Sequence, residues 1–359
     1  MKGPLLIDIA GTTLSEIDRQ LLQHPAVGGM ILFARNIVAP VQVIELVKEI
    51  RSVSPSLLIS VDQEGGRVQR LIQGFTRLPP LASLGALYDK APEQALQSAQ
   101  QLGWLMAAEV KAIGIDLSFA PVLDLNYNRN QVIGDRAFHS NPDIVCRLAK
   151  EYCLGMQKAG MATVGKHFPG HGYVTLDSHH ALPEDDRARE QVLLDAKTFI
   201  ELMPFLTGVM PAHIIYHAFD TLPVTFSAHW LQTWLRQQFR YTGVVISDDL
   251  SMAGAKCYPT VVEAARCALT AGCDLLLVCN DRQAVDSLVE PIAGLQLDRQ
   301  EKIRQLQGKQ FATPWQQLQN SATWQSATDA LSALQSVSDR KSTRLNSSHL
   351  KLSRMPSSA

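Results

Sequence analysis

The 359-residue chain has no run of the roughly 18 to 20 consecutive apolar residues that a bilayer-spanning helix needs, so no membrane protein is expected. Its opening stretch, MKGPLLIDIAGTT, carries a short apolar run broken by Asp8. It lacks the long apolar region and small-residue cleavage site of a secretory leader and reads as a first strand. Cys-x-x-Cys spacing is missing as well. Cys146, Cys153, Cys257, Cys267, Cys273 and Cys279 stand singly in or beside apolar segments, which argues against zinc and redox motifs and points to reduced thiols in a cytoplasmic protein. The segment DIAGTTLS after the first apolar run is no Gly-rich dinucleotide turn. Charge of one sign is not in large excess either, the formal net charge being −1.

Residues 339–359 stand apart. DRKSTRLNSSH, 339–349, is the string obtained when a common sequencing-library adapter is translated, so a non-native tail is expected there, the alternative being a genuine basic, Ser-rich disordered tail. It holds five basic residues and one acidic. Without it the chain has 28 Lys+Arg against 33 Asp+Glu, a net charge of −5, which argues against nucleic acid as a partner.

Eight short apolar runs recur before that tail: LLIDIA (5–10), GGMILFA (28–34), LLISVD (57–62), IDLSFAPVLD (115–124), MATVGKHF (161–168), GVMPAH (208–213), GVVISDD (243–249) and DLLLVCN (274–280). They show no polar alternation, the pattern of strands covered on both faces in a parallel sheet. Between them lie segments of helical periodicity, among them 40–53, 94–114, 141–160, 227–239 and 260–272, several closed by Gly. Eight β/α alternations without a linker predict a (β/α)8 TIM barrel in one domain, 1–338, with a helical C-terminal extension over about 283–337. A doubly wound open sheet is the alternative.

In such a barrel the site forms where strands end. Polar residues at those points are Asp62, Asp124, Lys166, His167, His213, Asp248 and Asp249. In VVISDDLSM, adjacent aspartates point to opposite faces, so one looks into the barrel mouth while the other serves the wall or caps the next helix. In VDQEGGRVQR, Asp62 with Arg67 and Arg70 suits either bidentate bonding to vicinal hydroxyls or an ion pair that braces the loop. The stretch GKHFPGHGYVTLDSHHALP, 165–183, brings Asp177 and His179 within two residues, close enough for a carboxylate to hold one imidazole nitrogen while the other exchanges a proton. A metal reading would use His167, His171, His179 and His180. However, the Pro and Gly in HFPGH oppose the helix that His-x-x-x-His ligation normally uses, and no metal is expected.

Together VDQEGGRVQR, IGDRAFH, GKHFPGHG, DSHHALP, MPAHIIY and VVISDDLSM resemble glycoside hydrolase family 3, in particular its short single-domain branch, the bacterial β-N-acetylglucosaminidases of peptidoglycan recycling. The resemblance runs over about 5–280 and implies a retaining exo-glycosidase acting on GlcNAc-anhydroMurNAc and its peptides in the cytoplasm. It implies Asp248 as nucleophile, His179 as general acid/base and Asp177 as its orienting partner. Asp62, Arg70, Arg136, Lys166 and His167 would hold the non-reducing N-acetylglucosamine. The implied partner is this carbohydrate substrate, with no cofactor, membrane or nucleic acid. Phosphorolysis through the same residues is the alternative, because a histidine acid/base sets no negative charge against incoming phosphate. A zinc hydrolase is the other.

Overall fold

The structure, a computed structural model, describes residues 2–175, 182–255, 257–332 and 334. Eight strands of the two larger sheets run parallel: β1 (Leu5–Ile7), β2 (Val27–Leu32), β3 (Leu58–Val61), β4 (Leu117–Ser118), β5 (Val164–Phe168), β6 (Gly208–Pro211), β7 (Val244–Val245) and β8 (Leu276–Leu277). A helix follows each of them, in turn Glu16–Gln23, Pro40–Val53, the pair Ala82–Tyr88 and Pro92–Ala112, Pro142–Lys158, Arg189–Leu202, His229–Gln238, Val261–Ala271 and Arg282–Ala293. The strands form a five-stranded sheet in the order β8-β1-β2-β3-β4 and a three-stranded sheet in the order β7-β6-β5. Parallel bridges pass between them at Val122 with Lys166 and at Ile246 with Leu275. There Leu123 N donates to Lys166 O at 2.8 Å and Ser247 N to Leu275 O at 2.9 Å. The architecture is an α/β fold on a curled parallel sheet.

The strands read as unbroken apolar runs because alternate residues enter two different apolar clusters. Leu6, Ile31, Leu58, Leu117, Val164, Met210, Val244 and Leu277 belong to an inner cluster. Their neighbours Leu5, Ile7, Met30, Leu32, Ile59, Val209, Val245 and Leu276 pack outward under the helices. Helix Gln300–Gln307 contributes Ile303 and Leu306 to the inner cluster, so its apolar stripe seals the end where the strands begin. At the other end Phe119, Met210 and Leu277 become the apolar wall of a cavity.

The C-terminal segment packs on the outside. Trp315 meets Phe75 with ring centroids 4.8 Å apart, and Trp324 Nε1 donates to Glu109 Oε1 at 2.9 Å. Glu109 also accepts from Thr76 N at 3.0 Å, and burial raises its carboxyl above the usual range. Among the described residues no helix is long and apolar enough to cross a membrane.

Helices Pro92–Ala112 and Pro142–Lys158 approach closely through glycine. A Cβ on Gly155 would lie 2.0 Å from Gln100 O, and one on Gly103 2.2 Å from Tyr152 O. Alanine would gain about 1 kcal/mol of helix propensity. A clash with backbone cannot be relieved by a rotamer, however, and overpacking costs roughly 1 to 3 kcal/mol even in milder cases. Gly155→Ala is therefore expected to lose about 2 kcal/mol net, read as a lower urea midpoint at unchanged slope; an unmoved midpoint would contradict this packing.

Candidate active site

A cavity of about 670 Å³ opens where the strands end. Asp62, Arg70, Arg136, Lys166, His167 and Asp248 all line it, together with Glu64, Arg67, His171 and Thr175. Asp177 and His179 lie outside the described residues.

Extended backbone carries the first carboxylates there. After β3 the chain continues through Asp62 into a short antiparallel hairpin, Gln63–Gly65 with Val68–Gln69. Residues two apart share a face, so Asp62 and Glu64 both meet the cavity. Gln63 between them faces the other way and accepts from Arg70 N and Leu71 N, each at 3.0 Å. The turn needs glycine, because Gly65 has φ +116° and a Cβ there would sit 2.4 Å from Pro79 O.

Glu64 is the junction of a buried charge cluster. Arg136 grips it with two bonds, Nε to Oε2 at 2.8 Å and Nη2 to Oε1 at 2.9 Å. Lys166 Nζ stands 2.7 Å from Glu64 Oε1 and 3.0 Å from Asp62 Oδ1. Burial works to raise the Glu64 carboxyl, but Arg136 and Lys166 hold it well below the usual carboxylate range. Burial likewise opposes the charge on Lys166, and Asp62 and Glu64 overcome that and raise its pKa. Arg70 Nη2 is 3.8 Å from Asp62 Oδ2, and among the described residues its buried Nε has no hydrogen-bond partner. Arg67 braces the neighbouring loop instead, donating to Gln131 O at 2.8 Å and to Val132 O.

β5 delivers Lys166 and His167 side by side, across a cis peptide. The fully buried Asp124 accepts from the backbone N–H of His167 at 3.0 Å and of His171 at 2.7 Å, and its Oδ2 lies 2.8 Å from His167 Nδ1. Although burial raises the Asp124 carboxyl, His167 and these donors lower it overall. Burial pushes His171 down to about 4, so its imidazole is neutral near neutral pH. The two rings sit 5.7 Å apart at 73°. Among the described residues no three His, Cys, Asp or Glu side chains are grouped to hold a metal ion.

Past β7 the two aspartates part. Asp248 lines the cavity and its Oδ1 accepts from Asp249 N at 2.8 Å. The Asp249 carboxylate turns back, accepting from Ser251 N at 2.9 Å, Ser251 Oγ at 2.8 Å and Cys279 N at 3.1 Å. His213 Nε2 lies 3.1 Å from Asp249 O and its Nδ1 3.0 Å from Thr225 Oγ1. Burial lowers the His213 pKa, which keeps this ring neutral.

Sequence reasoning missed Glu64, whose signal was its i, i+2 spacing from Asp62 in DQE. It noticed Asp124 and His213 as strand-end residues without a role. Their partners come from other strands, which spacing along the chain does not reveal.

Comparison with known proteins adds the following. The model of the Glycosyl hydrolase family 3 N terminal domain matches residues 5–307. The chain is 48% identical over 341 residues to the beta-hexosaminidase of Thioalkalivibrio sulfidiphilus, covering 92% of this chain and 96% of that one. It is 47% identical over 339 residues to the beta-hexosaminidase of Pseudomonas aeruginosa, covering 94% and 100%. The crystal structure of NagZ from Neisseria gonorrhoeae matches with a TM-score of 0.87 at 41% identity, covering 93% of this chain and 98% of that one. That protein has also been solved in complex with N-trifluoroacetyl-D-glucosamine.

Two predictions follow from the charges. Glu64→Gln leaves Lys166 and Arg136 buried with Asp62 as the remaining carboxylate of the cluster, and breaking a buried pair from one side typically costs about 3 to 5 kcal/mol. A loss near 3 kcal/mol in urea unfolding is expected; a loss under 1 would show the cluster to be solvated. For Asp249, burial pushes the carboxyl up to about 6, against roughly 3.9 when exposed. Between those values the native chain holds a proton that the unfolded chain has released, so this contribution is present at the acid end and is lost as pH rises through about 6. Asparagine mimics the protonated form and keeps the Oδ1 contacts. Asp249→Asn is expected to match the parent near pH 4 and to exceed it by roughly 1 to 2 kcal/mol above pH 6, and parallel stability curves would refute the assignment.

Proposed function

The chain belongs to glycosyl hydrolase family 3, and from that premise we propose that it is a retaining exo-β-N-acetylglucosaminidase that removes terminal GlcNAc from peptidoglycan fragments in the cytoplasm. The coarser statement, a glycoside hydrolase of the beta-hexosaminidase type, follows from relatives that match over nearly their whole length. The observation that carries the finer reading is the cavity itself, where Asp248 shares one wall system with Asp62, Arg70, Lys166 and His167. In the same reading the two parallel sheets and the bridges between them make one (β/α)8 barrel.

The geometry suits a sugar. Asp62 offers carboxylate oxygens to hydroxyls, Arg70 has a buried Nε that is unpaired among the described residues, and Lys166 keeps its charge at the cavity wall. Charge-assisted bonds of this kind select a polyhydroxylated ring over an apolar one. Phe119, Met210 and Leu277 supply the apolar patch that a pyranose also presents.

In the first step an Asp248 carboxylate oxygen bonds to the anomeric carbon as the glycosidic C–O bond breaks, and the departing oxygen takes a proton from His179. In the second, water loses a proton to His179 and its oxygen displaces Asp248, which returns as carboxylate. Asp177 stabilises the imidazolium form that the first step needs. His179 and Asp177 enter this scheme by their place in the DSHHALP motif.

Asp248→Ala and His179→Ala are each expected to lower kcat on an aryl N-acetyl-β-glucosaminide by at least about 100-fold. A fluorinated N-acetylglucosaminyl donor should leave its label on the Asp248 peptide. Unchanged hydrolysis in either variant, a label elsewhere, or sugar 1-phosphate formed when phosphate is added would each overturn this mechanism. Release of GlcNAc from GlcNAc-anhydroMurNAc tests the substrate.

A further inference from the structure

Asp124 has no part in the scheme above, yet its side chain is fully buried directly behind two residues of the cavity wall. Its two oxygens do different things. Oδ1 receives the backbone N–H groups of His167 and His171, at 3.0 and 2.7 Å, while Oδ2 faces His167 Nδ1 at 2.8 Å. Backbone amides can only donate, so Oδ1 is an acceptor. A carboxyl facing three such groups is best satisfied when ionised, and the ring nitrogen opposite Oδ2 must then carry the proton. That leaves Nε2 as the remaining polar atom of an imidazole that lines the cavity, and in the neutral ring Nε2 is a lone-pair acceptor.

We propose that Asp124 is a positioning residue that holds His167 in its Nδ1–H tautomer, so that Nε2 meets the substrate as the acceptor of a sugar hydroxyl. The identity of that ligand rests on the proposed function above, whereas the tautomer does not. The competing role is purely structural: Asp124 could serve only to tie down the backbone of 167–171 through Oδ1.

Asp124→Asn separates the two roles. Its carbonyl oxygen can keep both backbone N–H groups, but an NH2 now replaces Oδ2 and can only donate to Nδ1, which moves the ring proton to Nε2 and reverses the polarity presented to the ligand. In a double-mutant cycle with His167→Ala, Asp124→Asn is expected to lower kcat/KM on the aryl N-acetyl-β-glucosaminide about 30-fold in the parent background, the scale of one mismatched buried hydrogen bond. In the His167→Ala background, where no tautomer remains to be set, the loss should fall below about 3-fold. Equal losses in both backgrounds would overturn the proposal in favour of the backbone clamp.

Should Asp124→Asn fail to fold, or should His167→Ala be too weak to assay, the parent chain decides. In long-range 1H–15N spectra, the imidazole whose signals disappear in His167→Ala should show, in its neutral form, a protonated Nδ1 and a bare Nε2. The opposite pattern overturns the proposal. If the parent does not hydrolyse the glycoside at all, the proposed function has failed, and the spectrum still answers for the tautomer.

Discussion

The site depends on one carboxylate, that of Glu64, which is held between Lys166 and Arg136. Either cation alone would be a buried charge without a partner, and removing a charge from water costs several kcal/mol even after relaxation. With Glu64 between them and Asp62 at 3.0 Å from Lys166, each charge has a partner within hydrogen-bond reach. The cluster therefore fixes polar groups at the cavity wall that a solvated lysine or arginine would have to immobilise on binding, at an entropy cost of up to about 2 kcal/mol each. Three separate chain segments, 62–64, 136 and 166, meet there, so the same interaction that prepares the cavity also joins the ends of β3 and β5 to the loop between β4 and its helix.

Much of the fold could be read in the sequence because parallel strands announce themselves by double-sided burial. Eight apolar runs coincide with eight strands, and the helix expected over 40–53 spans Pro40–Val53. Helix Gln300–Gln307 was far less legible as part of the core. Its sequence, QEKIRQLQ, offers only Ile303 and Leu306 as apolar residues, yet both enter the inner cluster. The two side chains sit against Gly28 and Gly208 at strand starts, a placement that no local periodicity carries.

The candidate site divides in the same way. Residues at strand ends, Asp62, Lys166, His167 and Asp248, could be listed from the pattern alone, since a strand that leaves a barrel interior must place its next polar residue at the rim. The sugar could not be read from the residues themselves and came from the resemblance. Glu64 was hidden because E-G-G reads as a turn, and extended backbone persists one residue further than the glycines suggest. Asp124 and His213 could be located but not interpreted, because a buried carboxylate or imidazole gains its meaning from donors and acceptors that arrive from other strands.

The neighbourhood of Asp248 follows a different rule from that of Glu64. Here the imidazoles of His171 and His213 are kept neutral by burial, and alignment is set by backbone bonds. The peptide joining Asp249 to Leu250 is held on both sides, its carbonyl by His213 Nε2 at 3.1 Å and its N–H by Leu277 O at 2.9 Å. Since Asp249 O is an acceptor, the His213 proton sits on Nε2, and its Nδ1 accepts from Thr225 Oγ1. The turn so fixed presents Asp249 N to Asp248 Oδ1. One cavity wall is thus built in two ways, Glu64 held between the opposite charges of Arg136 and Lys166, and the turn after β7 held by neutral imidazole and backbone groups.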